Sequence, residues 1–463
     1  MPHPPLITDL RSALGGENVL SAPSEMVVYD CDAFVLERHP PLAVVFPRSA
    51  EHVAAAVKIC TEHGVAVVPR GAGTSLAGGC VPIGPSVVVM LTRMNRILEI
   101  NLRDRMAVVE PGVVNVNIAA ALRGAGFHYA PDPSSQTASL IGGNVATNAG
   151  GPHTLKYGVT VNHVLGIEAV LSNGSIMQIG PLGDPAGYDL LGLLVGSEGT
   201  LAVVTKIWLR LTPDPQDYRT FRAIFNSVED ATNTASQIIA AGIIPAALEL
   251  MDQGIMEAVE AAYHFGFPED AAAALVIEID GPRVGLDAQE SQIAAICQTN
   301  HAREVLQAKS SKERELLWKC RKMASGAMGR LAPSKMSEDC VVPRQRLPLM
   351  LKRIADASRK HGVRIVCVAH AGDGNVHPFV LFDERDKAQV NRVWNAAREI
   401  LAACLALGGS VTAEHGIGVE KLEFMPKQFG PEDLDAMRKV RYAFDPAVRF
   451  NPGKLIETDG AVR

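Results

Sequence analysis

The sequence lacks the features that mark several large classes of protein. Its eight cysteines are scattered and include no Cys-x-x-Cys pair, which argues against an iron–sulfur cluster, a zinc ribbon and a disulfide framework. Reduced thiols of this kind are typical of the cytoplasm. No window approaches the roughly 18 uninterrupted apolar residues of a membrane span, and the first residues, Met-Pro-His-Pro-Pro, do not resemble a signal peptide. We therefore expect a cytoplasmic chain with no membrane span.

Charge of one sign is not concentrated anywhere in the chain. The formal net charge is −6 over 463 residues, and no run of lysine and arginine stands out. Because nucleic-acid binding needs a basic surface, we exclude nucleic acid as a partner. Hydrophobic residues make up 47% and charged residues 20% of the chain, which is typical of a globular protein. The length exceeds the roughly 250–300 residues at which one core stops growing, so we expect two domains.

The pattern of the sequence changes at Thr212-Pro-Asp-Pro215. Before it, short β-branched runs alternate with helical stretches and glycine loops, which predicts an α/β layer structure. After it, strands and longer helices predict an α+β domain whose strands are covered on one side by helices. Residues 445–454 are too rich in proline and glycine for a helix and are expected to pack back on the first domain. We divide the chain into residues 1–214, 215–420 and 421–463.

The densest group of metal-type ligands lies in His370-Ala-Gly-Asp-Gly-Asn-Val-His377 and in Ala413-Glu-His-Gly-Ile-Gly418. A two-residue turn at positions 373 and 374 predicts a hairpin that places His370 directly opposite His377. Two imidazoles on paired strands can bind one divalent ion, and Glu414 can supply an oxygen ligand. This donor set favours zinc, with manganese and iron as alternatives. Solvated histidines beside an ordinary Asp-Gly-Asn turn are the alternative interpretation.

Four loop segments, called here the glycine segments, end predicted strands in the first domain, at residues 65–79, 131–136, 141–152 and 196–204; the second contains prolines and serines instead of glycines. In the first of these glycine segments, consecutive small residues let backbone N–H groups bind an anion. It does not fit the Rossmann pattern, because Leu76 stands where a third glycine is needed, and it lacks the lysine of a phosphate-binding loop. One phosphate needs only one loop. Four such loops suit a longer ligand such as FAD.

These segments resemble those of a known family, the FAD-linked oxidoreductases of the vanillyl-alcohol-oxidase type. The similarity is to the branch with the glycolate oxidase D subunit, D-lactate dehydrogenase and D-2-hydroxyglutarate dehydrogenase, and it covers roughly residues 25–456. The motifs that carry it are Pro69-Arg-Gly-Ala-Gly-Thr-Ser75, Pro131-Asp-Pro-Ser-Ser135, Gly142-Gly-Asn-Val-Ala-Thr-Asn-Ala-Gly-Gly151, Gly196-Ser-Glu-Gly199, the two histidine segments and Phe450-Asn-Pro-Gly-Lys454.

The resemblance implies an α+β fold with a two-lobed FAD-binding domain of the PCMH type and an α+β cap domain with an antiparallel sheet covered by helices. It also implies FAD bound without a covalent link, since the first glycine segment has no histidine. The implied FAD-binding residues are Pro69, Arg70, Gly71, Ala72, Gly73, Thr74, Ser75, Gly78, Gly79, Pro133, Ser134, Ser135, Gly143, Asn144, Thr147, Asn148, Gly150, Glu198, Gly199, Val204 and Asn451.

The implied activity is oxidation of a small 2-hydroxy acid, glycolate or D-lactate, to the 2-oxo acid. Hydride passes to flavin N5, and electrons pass on to a quinone or another non-oxygen acceptor. A metal at His370, His377 and Glu414 would lower the pKa of the substrate hydroxyl. His415 would then take the proton as general base. Neighbours on a regular strand point to opposite faces, so Glu414 and His415 can act together only if the backbone bends, which Gly416 favours.

Two cationic residues are the candidates for binding substrate carboxylates. Arg321 matches the arginine with which the family binds this group, and its guanidinium fits a carboxylate well. Some relatives add a lysine, whose position here is occupied by Ser337, while Lys335 is close but out of register. The departure leaves a second carboxylate contact in doubt and weakens the case for a dicarboxylate substrate.

Other functions stay open at this point. Two histidines and a glutamate around zinc also make a metallohydrolase site, although that function leaves the glycine segments unexplained. A non-redox flavin transferase has the same fold type, and fold alone does not fix a reaction. D-2-hydroxyglutarate dehydrogenase and a non-catalytic subunit are further alternatives. Expected partners are the subunits of a glycolate oxidase complex, which could attach the chain peripherally to the inner membrane, or a second copy in a homodimer.

Overall fold

A computed structural model describes residues 4–180 and 187–458 of the chain. The chain divides into two compact units. The first unit contains residues 1–150, 158–214 and 414–463, and the second contains residues 151–157 and 215–413. The second unit thus ends at Ala413, whereas the division drawn from the sequence extends to residue 420.

The elements are numbered in chain order. Up to the start of the second unit's main part they are α1 (Pro4–Leu14), β1 (Val19–Leu20), α2 (Pro23–Met26), β2 (Ala43–Val45), α3 (Ala50–Glu62), β3 (Ala66–Arg70), β4 (Ser86–Met90), β5 (Ile97–Asn101), β6 (Met106–Val109), α4 (Asn115–Ala121), β7 (Phe127–His128), α5 (Ile141–Thr147), α6 (Thr154–Tyr157), β8 (Val164–Val170), β9 (Ile176–Ile179), α7 (Leu190–Leu194), β10 (Val203–Arg210) and β11 (Thr212–Pro213).

The remaining elements follow residue 215. Those up to α14 belong to the second unit, and α15 and α16 belong to the first unit. They are β12 (Asp217–Phe225), α8 (Val228–Ala240), β13 (Ala247–Asp252), α9 (Gln253–Tyr263), β14 (Ala273–Gly281), α10 (Leu286–Thr299), β15 (Glu304–Gln307), α11 (Ser311–Lys322), α12 (Ala324–Ala327), β16 (Ser334–Ser337), β17 (Cys340–Val341), α13 (Leu347–His361), β18 (Arg364–His370), β19 (Asn375–Phe382), α14 (Lys387–Ala406), α15 (Met425–Gln428) and α16 (Pro431–Phe444).

The first unit has two lobes, each built around a sheet. One sheet has the order β1-β2-β4-β3, in which β2, β4 and β3 are parallel, and α1 and α3 cover its valine-rich core. The other is an antiparallel sheet of order β5-β6-β10-β8-β9. Ile118 of α4, Ile141 of α5 and Leu194 of α7 complete its core. The β-branched alternation that predicted these strands thus reflects residues buried against helices.

The C-terminal segment contributes to the first lobe. Phe450 lies in the core of that lobe and bridges Val67 of β3 in parallel, and the Asn451 N–H donates to the Val67 carbonyl at 2.7 Å. As predicted, residues 445–454 contain no helix. The preceding helix α16 was not anticipated from the sequence.

The second unit is built on one antiparallel sheet, with the order β15-β12-β14-β13-β18-β19-β16 and β17 beside β19. Both faces of its central strands are buried: Leu250 and Ile277 on one face, Met251 and Val276 on the other. Helices α9, α11 and α12 share a core with Met251, while α8, α13 and α14 also pack on these strands. Helices therefore cover both faces, and the expectation of cover on one side is wrong.

The register predicted for the histidine hairpin is also wrong, by two residues. Strands β18 and β19 pair with His370 opposite Asn375 and with Val368 opposite His377. The loop therefore has four residues, 371–374, and its last glycine has a φ of +84°. Because side chains alternate between faces along a strand, a shift of two keeps both histidines on one face as diagonal neighbours.

Two other segments differ from the sequence-based expectation. The third glycine segment, predicted as a loop, begins with helix α5, in which Ile141 and Val145 are fully buried. Gly142 permits this packing, since a Cβ there would lie 2.6 Å from Pro111. The sequence pattern over residues 312–328 predicts one continuous helix, whereas the structure has a break at Met323 that separates α11 from α12. Among the described residues, no helix is long and apolar enough to cross a membrane.

Candidate active site

The glycine segments meet one another within the first unit. A Cβ at Gly71 would lie 3.6 Å from Leu140, and one at Gly199 would lie 3.2 Å from Pro69. The amide of Asn115 links the second and third segments, donating to the Pro131 carbonyl at 3.2 Å and to Asn144 Oδ1 at 3.4 Å. Segments distant in sequence therefore lie close together, which is the arrangement that an extended, polar ligand needs.

All of the residues predicted to bind FAD lie in this unit. Residues 71–79 directly follow β3, and residues 133–135 lie between β7 and α5. Residues 143–147 lie in α5, and Asn148 follows that helix with a φ of +54°. Val204 lies in β10, and Asn451 lies in the C-terminal segment beside β3.

Several of these residues use their side chains to shape the loops. Ser75 Oγ accepts the Gly79 N–H at 3.0 Å, and the Asn144 amide donates to Ser139 Oγ at 3.4 Å. The Asn451 amide donates to the carbonyls of Gly79 and Glu198, both at 2.7 Å. A Cβ at Gly143 would meet nothing within 4 Å, so this side of α5 is open. This open side and the backbone groups of the loops are thus left to face a ligand.

Arg70 offers a donor for an anionic group. Its guanidinium is buried, and its Nη1 makes no hydrogen bond within the described residues. A buried guanidinium N–H without an acceptor is costly, and phosphate is one of the anionic groups that a guanidinium binds strongly. The donor set of the first unit therefore fits a ligand with a pyrophosphate group such as FAD.

The second unit holds a row of buried polar residues on one face of its sheet. Glu249 of β13 is paired with His370 of β18, so both side chains point to the same face. Glu249 Oε1 lies 2.6 Å from His370 Nδ1. The ring centroids of His370 and His377 are 5.0 Å apart, and each ring presents a nitrogen within 4.8 Å of the other's. The two histidines therefore come together as predicted.

Arg321 lies on this face and is buried rather than solvated. It projects from α11, and its Nε forms an ion pair with Glu249 Oε2 at 2.8 Å. Its Nη2 is buried and has no hydrogen-bond partner among the described residues. Burial alone would raise the pKa of Glu249, but the charges of His370 and Arg321 hold that pKa below its ordinary value. Glu249 therefore stays ionised and orients both side chains.

His377 also has a carboxylate neighbour. Asp339 Oδ1 lies 3.7 Å from His377 Nδ1. Asp339 Oδ2 accepts the Thr412 hydroxyl and the Ala413 N–H, both at 2.8 Å. Carboxylates that contact imidazoles at Nδ1 fix the ring orientation and leave Nε2 for a metal or a substrate.

Glu414 and His415 are the first residues of the C-terminal part of the first unit. Glu414 Oε2 accepts the Gly150 N–H at 3.0 Å. Residues 411–418 form no strand, and Gly416 has a φ of +87°. The conflict expected for neighbouring side chains on a regular strand therefore does not arise here.

Lys335 lies on β16, where its Nζ donates to the carbonyl and hydroxyl oxygens of Ser325 at 2.9 and 2.7 Å. Burial lowers the pKa of this lysine. Ser337, two residues further along the strand, lies on the same face and is more deeply buried. The structure thus keeps Lys335 occupied by a protein partner.

Sequence reasoning missed the roles of Glu249 and Asp339. A signal for Glu249 exists, because it interrupts the apolar strand Ala-Ala-Leu-Glu-Leu-Met, and a buried carboxylate requires a partner. Asp339 and Glu338 form an acidic pair between β16 and β17, directly before the apolar run Cys-Val-Val342. Neither signal identifies the partner. His370 is more than a hundred residues away from Glu249 in sequence, and His377 is about forty residues away from Asp339.

Comparison with known proteins gives the family. Residues 214–455 match the model described as FAD linked oxidases, C-terminal domain, and residues 41–180 match the FAD binding domain. Glycolate oxidase subunit GlcD of Bacillus subtilis (strain 168) is 40% identical over 451 residues, which cover 97% of this chain and 96% of that protein. The chain belongs to the FAD-linked oxidase family. It is therefore an FAD-dependent oxidoreductase, and the resemblance drawn from the sequence motifs is confirmed.

Two further matches extend this result. A D-lactate dehydrogenase of Archaeoglobus fulgidus is 33% identical over 437 residues, covering 92% of this chain and 96% of that protein. The solved structure of 4-ethylphenol oxidase from Gulosibacter chungangensis has a TM-score of 0.83 at 21% identity and covers 97% of this chain and 96% of that chain. The second match concerns the fold alone, and it confirms the predicted PCMH-type fold of this FAD-linked oxidase.

Proposed function

We propose that this FAD-linked oxidase oxidises a small 2-hydroxy acid, glycolate or D-lactate, to the 2-oxo acid. The observation that carries the proposal is Glu249, whose two oxygens contact His370 and Arg321. One buried carboxylate thus holds a histidine and a carboxylate-binding guanidinium side by side. A 2-hydroxy acid has its hydroxyl and carboxylate on adjacent atoms, which matches this pairing. The names of the two relatives, a glycolate oxidase subunit and a D-lactate dehydrogenase, agree with it.

We further propose that His370, His377 and Glu414 are ligands of a divalent metal, with zinc favoured over manganese and iron. Glu249 contacts His370 at Nδ1, so Nε2 is the atom that we assign to coordination of the metal. When bound, the metal would supply a Lewis acid that lowers the pKa of the substrate hydroxyl, and FAD would supply the hydride acceptor.

Residues of the chain bind the substrate and accept its proton. Arg321 binds the substrate carboxylate through its unpaired Nη2 and thereby orients the carbon that is oxidised. His415 takes the proton of the hydroxyl. Lys335 is occupied by Ser325, which favours a monocarboxylate over 2-hydroxyglutarate. FAD is held without a covalent link, and electrons leave for a quinone or for partner subunits like those implied by the name of the B. subtilis relative.

The test is anaerobic mixing of the purified holoprotein with glycolate, D-lactate, L-lactate and D-2-hydroxyglutarate while flavin absorbance is recorded. We expect rapid bleaching by glycolate or D-lactate, which is lost with a chelator and in His370→Ala. Bleaching by none of these acids, in protein that contains both FAD and metal, contradicts the proposed function. A non-redox flavin transferase would behave in that way, and a metallohydrolase would contain no flavin.

Arg321→Lys tests the binding of the carboxylate, with Arg314→Lys as the matched control. Arg314 lies on the same face of α11 and pairs with Glu278 through two nitrogens, each at 2.7 Å. Arg321→Lys should raise KM about tenfold or more, because a charge-assisted hydrogen bond contributes roughly 1.5–3 kcal/mol. The control should leave KM unchanged. An equal rise of KM in both variants would mean that Arg321 stabilises the helix and does not bind the substrate carboxylate.

A further inference from the structure

Glu198 is a buried carboxylate at the fourth glycine segment, and its backbone is fixed on two sides. It has a φ of +52°, which is rare for a residue other than glycine. Its N–H donates to the Ala146 carbonyl of α5 at 2.8 Å, and its carbonyl accepts the Asn451 amide at 2.7 Å. A strained backbone held in this way directs the side chain to one position.

Both oxygens of that side chain accept backbone N–H groups from the C-terminal part of the first unit. Oε1 accepts the Ile417 N–H at 2.7 Å, and Oε2 accepts the Gly418 N–H at 2.8 Å. A Cβ at Gly416 would lie 2.9 Å from Glu198 Cδ. The carboxylate is thus packed directly against residues 416–418, and glycine at position 416 is what allows it.

The segment of residues 414–418 is held at its other points as well. The Gly150 N–H binds Glu414 at the start of the segment. At its end, the Val419 N–H donates to the Ala77 carbonyl at 3.0 Å, and a side chain at Gly418 would overlap the same carbonyl. Among these contacts, those of Glu198 are the two that one side chain provides to adjacent backbone N–H groups. They lie within three residues of His415.

We propose that Glu198, predicted from its motif as an FAD-binding residue, is instead a positioning residue that holds the 414–418 segment, and with it Glu414 and His415, against the glycine segments. The assignment of catalytic work to Glu414 and His415 rests on the proposed function, whereas the holding of the segment does not. A carboxylate suits the role because it accepts at both oxygens. A glutamine has one acceptor and would turn its NH₂ group towards a backbone N–H.

The experiment compares Glu198→Gln and Glu198→Asp with Glu110→Gln. Glu110 is the control because it is a buried glutamate of the same unit that also accepts a backbone N–H, that of Arg96 at 2.8 Å, and it does not contact the 414–418 segment. Hydrogen exchange of the holoprotein is followed on peptides that cover residues 414–419, together with FAD content and the kinetics of flavin reduction.

In Glu198→Gln we expect exchange of the 417 and 418 amides to accelerate about tenfold or more, since one of the two buried N–H groups loses its acceptor. We expect kcat for flavin reduction to fall by a similar factor with little change in KM, because Arg321 is unaffected. Glu198→Asp, which keeps two acceptors, should restore part of both. Glu110→Gln should show neither change.

Unchanged exchange at residues 417 and 418 would overturn the proposal, as would a loss of kcat that is equal in Glu110→Gln. If Glu198→Gln does not fold with FAD bound, amide exchange and the kinetics of flavin reduction are measured on Glu198→Asp instead, and these two results decide. If no 2-hydroxy acid reduces the flavin of the unaltered protein, the proposed function fails, and amide exchange alone then confirms or refutes the holding of the segment.

Discussion

Glu249 shows how one residue can organise a polar site inside a sheet. A buried carboxylate is costly by itself, and it persists only where charges and hydrogen bonds compensate for the lost hydration. Here the compensation comes from His370 and Arg321, which keep the pKa of Glu249 below its ordinary value in spite of burial. Arg321 is also the group proposed to bind the substrate carboxylate, and His370 is proposed to hold the metal. Stability and function therefore depend on the same carboxylate.

Replacement of Glu249 by glutamine should separate these two contributions. The amide keeps the shape of the side chain but loses the charge that orients His370, so metal affinity and flavin reduction should fall about 10–100-fold, the usual effect of such a partner. Metal content after dialysis and the rate of flavin reduction measure this. Glu278→Gln is the matched control, since Glu278 is also fully buried and pairs with Arg314 of the same helix. Equal losses in both variants would contradict the orienting role.

Individual residues were predictable to the extent that their chemistry is unusual in the sequence. His370, His377 and Glu414 stand out because metal-type ligands are clustered around glycines. Arg321 was identified only through the resemblance, since a helical arginine is ordinarily solvated. The carboxylate partners were missed because pairing across strands depends on the order of strands in the sheet, which one sequence does not state.

At the scale of elements, the histidine hairpin illustrates the limit of turn-based reasoning. The sequence at positions 373 and 374 favours a two-residue turn, yet the strands are joined by a four-residue loop. Register is set by the burial of alternate residues as well as by the turn. Here pairing with β13 and β16 fixes β18 and β19 between them. Regular strands such as β4 and β10 were predictable because their β-branched pattern has no competing signal.

Gly374 is the position in this loop at which a side chain should be least tolerated. It has a φ of +84°, and a Cβ there would overlap the Val342 carbonyl. Gly374→Ala should therefore lower the thermal midpoint clearly more than Gly362→Ala. Gly362 also has a positive φ, +61°, but a Cβ there meets nothing within 4 Å, so only the conformational cost of about 1 kcal/mol applies. Equal shifts in the two midpoints would show that the loop adapts.

At the scale of the whole molecule, the chain is organised as two units that interleave in sequence. Residues 151–157 belong to the second unit although the first surrounds them, and residues 414–463 return to the first. The composition change at residues 212–215 marks only one of these crossings. The other crossings cannot be recognised in the sequence. A segment as short as residues 151–157 has too few residues for a periodic pattern, and its assignment to a unit depends on long-range contacts.

Each unit contains its own buried carboxylates, so acid should lower the stability of the two units to different extents. In the second unit Glu278 is the central case. Its oxygens accept from Arg314 at 2.7 Å, from Trp318 at 2.8 Å and from Thr220 at 2.6 Å, which joins α11 to two strands. Burial would raise its pKa, but hydrogen bonds from His153 and Arg314 lower the pKa from 4.5 to about 2.

Since the folded-state pKa of Glu278 lies below the unfolded value, its stabilisation is present above pH 4.5 and is lost as the pH falls towards 2. The difference in thermal midpoint between the unaltered protein and Glu278→Gln should therefore shrink as the pH is lowered through this window. Calorimetry across the window measures the difference. Glu257→Gln is the control, because Glu257 pairs with Arg364 while half exposed, and its difference should stay small throughout. A difference for Glu278 that does not depend on pH would mean that this carboxylate is already protonated when buried, and that neutral hydrogen bonds join α11 to the sheet.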